Sequence, residues 1–452
     1  MVPSILAALA RIKADVAAHL KAATIERLCR EVGHTWRDRL LGPVVTVHAF
    51  LLQVLHANTA CDDVPHLTGG TFTGAAYCQA RKRLPPALFE RLLADVGGSL
   101  APCRDEAERW CGHRVWHLDG SGFSMPDTPE LQKAFGQPGT QEPGCGFPVA
   151  HALTLFHAGT GMLQKALTAP LRTHDLRNAW RMHPEMQPDD VLVGDRAFGS
   201  YAHLAQLREA GLHGVFRLHQ RTIVNFRKGR VHRPPHLRGY ARKFFRGATG
   251  LPRSRWVRWL GQRDQLVEYY KPAQCPKWMT PEAYAALPDS LVVRELRFEV
   301  LAPGCRVKQV TLVTTLLDAE RHPAAELAQA YFDRWQAEVN LRHLKQTLKL
   351  DVLRSKTVDG VAKELCMIAL AYNLVRLVMV EAARRQRVLP CRVSFVDALR
   401  WLRNARPGEP LRKLIVHRIR PRCEPRVRKR RPKQYDLMNK PRATMRKQLL
   451  HQ

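Results

Sequence analysis

Between Tyr331 and Lys345 the chain reads YFDRWQAEVNLRHLK, with Tyr331, Arg334, Glu338 and Lys345 spaced by three, four and seven positions. On a helix of 3.6 residues per turn, Tyr331 and Lys345 each fall within about 20° of Glu338, and Arg334 within about 40°. One face therefore presents a phenol, a guanidinium, a carboxylate and an ammonium. A carboxylate is a hard ligand for a divalent cation. Arg binds phosphate oxygens in a fork, and Lys binds them as a point charge. The set suits an enzyme that works on a polyanion.

Two more acids stand where chemistry is commonly done. Asp119 ends the apolar part of RVWHLDGSGF (114–123) and precedes an expected Gly-Ser-Gly turn. Asp195 ends the buried-type strand in DDVLVGDRAF (189–198). Together with Glu338 they offer oxygen ligands of the kind Mg²⁺ prefers. Two such ions, on the order of 3.5–4 Å apart, activate a nucleophile and stabilise a leaving oxygen. Each acid also has an ordinary reading. Asp119 starts a turn, Asp195 pairs with Arg196 or caps the next helix, and Glu338 pairs with Arg334 or Arg342 one turn away. His117 alternates onto the face of Asp119 and reads as a core histidine.

The elements that must position these groups follow from periodicity. Residues 1–108 read as helical, with a core helix in 45–60 and a break at Pro85-Pro86. Arg81, Lys82 and Arg83 form an exposed basic cluster in this reading. Strand text then alternates with helices: 114–123, a hairpin over 147–168 turning at Gly159-Thr160-Gly161, a short helix at 175–183, a strand at 189–198, a helix at 200–211 and a strand at 213–219. That order sets the first and fourth strands side by side in a ribonuclease-H-like sheet. Residues 219–317 read as a β-rich insertion. A single long helix is expected from Pro323 to about Leu350, with Ala337, Leu341, Leu344 and Leu348 as its apolar stripe. Residues 364–383 are a core helix. The organisation is thus a catalytic α/β domain of 109–218 plus 318–400, a mixed sheet with flanking helices. The insertion of 219–317 interrupts it, and helical regions of 1–108 and 401–452 flank it.

Composition points to the polyanion. Lys plus Arg number 72 against 40 Asp plus Glu, a net charge of +32 over 452 residues. Such a balance implies nucleic acid or an anionic surface. Residues 219–263 hold thirteen Lys or Arg and no acid, interleaved with aromatics that can stack on bases. The tail from Pro421 holds eleven basic residues and two acids, including the extended PRVRKRRPK. The N-terminus lacks a signal-peptide pattern, and continuous apolar runs long enough for a membrane span are missing. Eleven Cys without a CxxC pair suit a reducing cytoplasm. Cys103, Cys111 and His113 match no structural zinc spacing.

The segments HLDGSGF, GDRAF and Tyr331-x2-Arg334-x3-Glu338-x6-Lys345 resemble the signature of bacterial DD(E) transposases of the insertion-sequence family numbered four. Asp195-Arg196-Ala197-Phe198 fits that family's pattern after its second acid. GCGFPVA (144–150) and the KRRPK…NKPR tail also look familial. The resemblance implies a ribonuclease-H-like domain with a β insertion between the second and third acids. It implies that Asp119, Asp195 and Glu338 hold two Mg²⁺ ions, Mn²⁺ substituting, while Tyr331, Arg334 and Lys345 contact phosphates at the cleaved end. The implied partners are double-stranded DNA, as terminal inverted repeats and target, and a second copy of the chain. The implied setting is the bacterial cytoplasm, at the nucleoid. Cut-and-paste movement is the expected activity. A catalytically silent DNA-binding derivative, or a nuclease without strand transfer, are the alternatives. Some members flip a base onto a Trp of the insertion, but Trp256, Trp259 and Trp278 do not lie in the strands just before the long helix.

The charge argument makes a direct prediction. Affinity for duplex DNA should fall steeply as salt rises, because each neutralised phosphate releases counterions. Fluorescence anisotropy across a salt series measures this, and a flat response would contradict it.

Overall fold

A computed structural model describes residues 2–139, 141–171, 173, 176–233, 250–300, 309–417 and 440–450. The basic stretch 418–439, and with it PRVRKRRPK, lies outside them, as does 234–249 of the insertion.

Nine strands form one mixed sheet: β1 (Val115–Ser124), β2 (Val149–His157), β3 (Leu163–Pro170), β4 (Val191–Gly194), β5 (His213–Arg217), β6 (Arg255–Gly261), β7 (Asp264–Tyr270), β8 (Ser290–Glu299) and β9 (Gln309–Thr314). Their spatial order is β3-β2-β1-β4-β5-β9-β8-β7-β6. β1, β4 and β5 run parallel, and the neighbours of that trio are antiparallel. The Tyr201–Glu209 helix makes the crossover from β4 to β5, capped at its start by the Ser200 hydroxyl. The fold is the ribonuclease-H-like α/β arrangement that the strand order predicts. The strands of 219–317 extend the same sheet, because β9 pairs with β5.

Alternation of side chains assigns the two faces. Trp116, Leu118 and Leu192 enter one core with the Tyr201–Glu209 helix. Val115, Val191, Val193 and Val215 enter another beneath Leu327 of the Ala324–Asp333 helix. Asp119 has the parity of Val115, so it lies on the face covered by that helix. A third core joins the N-terminal helices to Val358–Gln386 and to Leu341, Leu344 and Leu348. The Val358–Gln386 helix is long and apolar enough to cross a membrane by length and composition. However, 78% of its most apolar window is buried in the fold.

Three local expectations are corrected. First, β1 does not stop at Asp119. It continues through Gly120, Ser121 and Gly122, which pair with Leu153, Ala152 and His151 of β2. The partner strand satisfies their backbone groups, so these glycines stay extended rather than turning. Second, the expected long helix is interrupted. It divides at Arg334 into Ala324–Asp333 and Trp335–Arg342, then widens over His343–Thr347 into π turns. There Leu348 N donates to His343 O, five residues back, at 3.0 Å. The α-helical wheel therefore does not place Lys345. Third, Arg81 is not a free surface cation. It donates to Gln53 Oε1 at 2.9 Å and lies over the Phe50 ring.

Glu364, fully buried on the central helix, ties three segments together. It accepts from Asn58 Nδ2 at 2.5 Å, Arg354 N at 3.1 Å and Ser355 N at 3.0 Å. Glu364→Ala would leave Asn58 Nδ2 and Ser355 N buried and unpaired, a loss on the order of 3 kcal/mol. Urea unfolding should show that loss, with Glu364→Gln retaining part of it.

Candidate active site

Strand register brings the first two acids together. β1 and β4 pair in parallel as far as Leu118 with Gly194. Asp119 and Asp195 are the next residues on each strand, so they stand beside one another where β4 ends. The chain turns sharply after β4. Asp195 Oδ1 accepts from Ala197 N at 2.6 Å, and Asp195 O accepts from Phe198 N at 3.1 Å. Asp195 thus braces its own turn, and Ser200, not Asp195, caps the next helix. Only glycine fits before it: a Cβ on Gly194 would meet Phe198 at 2.9 Å and Phe216 at 3.1 Å.

The third acid arrives on the Trp335–Arg342 helix, and one guanidinium ties it to the first. Arg334 Nη2 donates to Glu338 Oε1 at 3.1 Å, and Nη1 lies 3.7 Å from Asp119 Oδ2. The two carboxylates are therefore no further apart than one guanidinium and its two contacts. The ordinary reading of Glu338, an i,i+4 pair with Arg334, is realised, and it leaves the carboxylate near Asp119. Asp119 O accepts from the Thr154 hydroxyl at 2.8 Å, and Asp119 Oδ1 from Gly120 N at 2.9 Å. Those contacts fix the carboxylate on the strand.

Burial pushes the Asp119 carboxyl up to about 6, and the charges of Glu338 and Asp195 push the same way. Arg334 and the Gly120 N–H oppose the rise without cancelling it. Arg334 itself is mostly buried. Burial works against its charge, yet Tyr331, Asp119 and Glu338 together hold it protonated. Tyr331 lies with its ring 5.7 Å from the Arg334 guanidinium, its hydroxyl raised chiefly by burial. Lys345 reaches β1 past the acids, donating to Ser121 Oγ at 3.0 Å and Gly122 O at 2.9 Å. All six expected site residues thus gather at one end of the sheet.

His117 is buried under the same face, held near 3 mainly by burial, with neither ring nitrogen hydrogen-bonded among the described residues. It is a core residue without the partner a core histidine usually has. Arg217 was not anticipated. Its charge acts on Tyr331 from the end of β5. The register that pairs Gly194 with Phe216 sets Arg217 beside Asp195, and the strand text HGVFRLH could have pointed to it. In the insertion, Arg230 is turned inward, donating to Ser254 O and Asn225 O at 2.7 and 2.6 Å. Arg255, Arg258 and Trp259 stay exposed on the edge strand β6, and Lys228 lies 4.3 Å from the Trp259 ring.

A ribonuclease-H-like sheet carrying acids side by side on adjacent parallel strands where β4 ends, with a third on a later helix, defines a class of DNA-processing enzyme. The chain belongs to the Transposase DDE domain family, which matches residues 110–374. It is a DNA transposase, an enzyme that cleaves DNA and transfers strands, and the family implies use of a divalent metal. Among its relatives is the Transposase InsG for insertion sequence element IS4 of Escherichia coli (strain K12), 25% identical over 381 residues. That match covers 80% of this chain and 77% of the relative. The Putative transposase InsZ of the same organism is 28% identical over 138 residues, covering 30% and 46% of the two chains. The piggyBac transposase synaptic complex with hairpin DNA is similar at a TM-score of 0.42 and 11% identity, covering 84% of this chain and 75% of that one.

The raised Asp119 carboxyl yields a pH test. Its folded value, about 6, exceeds the ordinary 3.8, so the folded state holds the proton more tightly. Asp119 therefore contributes stability that is full below the ordinary value and lost as pH rises through about 6. Metal-free Asp119→Asn should melt higher than wild type above about pH 6, the difference vanishing toward about pH 4. Thermal unfolding across that range measures it.

Proposed function

We propose that the chain excises an insertion sequence at its terminal inverted repeats and joins the freed ends to target DNA. In this reading it acts as a homodimer on double-stranded DNA, at the nucleoid in the bacterial cytoplasm. Asp119, Asp195 and Glu338 hold two Mg²⁺ ions, for which Mn²⁺ can substitute. The donor set fits: three hard carboxylates in a half-buried recess, one of them, Asp119, with its carboxyl raised chiefly by burial. When bound, such ions activate the attacking hydroxyl and stabilise the leaving oxygen.

The remaining residues bind and orient. Arg334 sits between two carboxylates, where cations are needed. Once its charge is replaced there, its fork is free to turn to a phosphate of the cleaved end. Tyr331 limits that swing by stacking against it. Lys345, anchored on β1, presents a fixed positive charge beside the scissile strand. The helical region 1–108 contacts the repeat, and the basic insertion 219–317 and region 401–452 contact backbone. On the insertion, Arg255, Arg258 and Trp259 of β6 are the surface that meets DNA. The observation that carries this reading is the Asp119–Arg334–Glu338 bridge standing beside Asp195.

The test uses a repeat-ended duplex with Mg²⁺. Asp119→Ala, Asp195→Ala and Glu338→Ala should each lose cleavage by at least about a hundredfold, the scale of removing a main charge-stabilising group, while end binding is nearly kept. Arg334→Ala and Lys345→Ala should slow cleavage or joining and weaken binding modestly. Normal cutting by any of the acid variants would remove that residue from the site.

A further inference from the structure

At the opposite end of the same strands, four side chains form a cluster that the catalytic chemistry does not use. His113 precedes β1, Asp189 precedes β4, His213 opens β5, and His322 precedes the Ala324–Asp333 helix. The ligand atoms of His113, Asp189 and His213 lie within 4.8 Å of one another. His113 Nδ1 is 3.2 Å from Asp189 Oδ2, and His213 Nε2 is 3.1 Å from Asp189 Oδ1.

Hydrogen placement in this cluster leads to a contradiction that a cation resolves. His322 Nδ1 faces the Asp318 carbonyl at 3.2 Å, so it carries the proton and leaves Nε2 bare. His322 Nε2 faces His113 Nε2 at 2.9 Å, so in neutral rings His113 Nε2 must be the donor. His113 Nδ1 is then bare. Yet it points at two oxygens that only accept, Asp189 O at 2.7 Å and Asp189 Oδ2. In neutral rings one nitrogen of this chain always faces an acceptor without a proton, and a metal ion between His113 Nδ1 and the carboxylate relieves that mismatch.

We propose that a transition-metal ion, Zn²⁺ by its donors, binds His113 Nδ1, His213 Nε2 and the Asp189 carboxylate. Two imidazoles and a carboxylate are ligands that zinc accepts, and bonds of about 2.0–2.2 Å place neighbouring ligand atoms roughly 3 Å apart, as each imidazole stands from the Asp189 carboxylate. The chain from His113 Nε2 to His322 and on to the Asp318 carbonyl is the outer support that orients a metal-binding histidine. Asp189 is half exposed and leaves room for water as a further ligand. Arg321 reaches Asp189 Oδ2 at 3.6 Å, and, being half exposed itself, it can withdraw into solvent. The ion would pin the beginnings of β1, β4 and β5 to one another. Cys103 and Cys111, the other zinc candidates near His113 in the sequence, are not part of this group.

The full chain, loaded with Zn²⁺ and dialysed, should retain a single equivalent by elemental analysis and melt higher than the chelated protein. His213→Gln and Asp189→Asn should lose both effects, while Asp195→Ala and Glu338→Ala should keep them, which separates this site from the Mg²⁺ reading. X-ray absorption of the wild-type zinc protein should show imidazole nitrogen and carboxylate oxygen around the ion, a readout independent of any variant's folding. Failure of folded wild type to retain zinc, full retention by His213→Gln and Asp189→Asn, or a sulfur-containing shell would each overturn the proposal.

Discussion

Carboxylates gathered in a half-buried recess repel one another, and the fold must supply positive charge or leave one of them protonated. Arg334 carries that duty in the resting protein. Its two arms reach Asp119 and Glu338, and the helix divides at this residue, so the guanidinium is presented from a joint rather than from the middle of a rigid rod. Even so, Asp119 remains starved of compensation. A recess in that condition attracts cations, and in the proposed function their arrival is what releases Arg334 to a phosphate. Under that proposal, charge balance couples metal uptake to the grasp of DNA.

The lateral position of the acids depends on strand pairing. Side chains on a strand alternate faces, so a slip of one residue between β1 and β4 would turn Asp119 and Asp195 to opposite sides. Several features guard the register. Valines of β1, β4 and β5 share a core beneath Leu327, Gly194 admits two phenylalanines that no larger residue would tolerate, and Arg114 forks onto Asp190 with both contacts at 2.9 Å. These packing constraints sit within a few residues of the acids they align.

Much of this was legible in the linear text. Strand order followed from alternating apolar runs and turn residues, and Asp195 stood at a strand end. Tyr331, Arg334 and Glu338 share a helical face because three- and four-residue spacings survive the local break. What escaped was non-local. Nothing near Gly120 announces that β2 will hold it extended. Leu344 and Leu348 are buried on either side of the π turns at His343–Thr347, and no short pattern encodes that widening. Arg81 and Arg230 read as surface charge because their buried acceptors, Gln53 and Ser254, are contributed by other segments. Arg217 required register, which periodicity alone does not provide.

The sheet is continuous from β3 to β6, and that continuity has a mechanical side. A ladder of backbone hydrogen bonds is stiff along its strands, so a load applied at the outer border by curved duplex would pass as shear through β7, β8 and β9 to β5, and from there to the turn at Asp195. A separately tethered module would dissipate such a load in its linkers. With duplex on β6 as proposed, the geometry of the reacting centre would be wired to the curvature of the helix it holds.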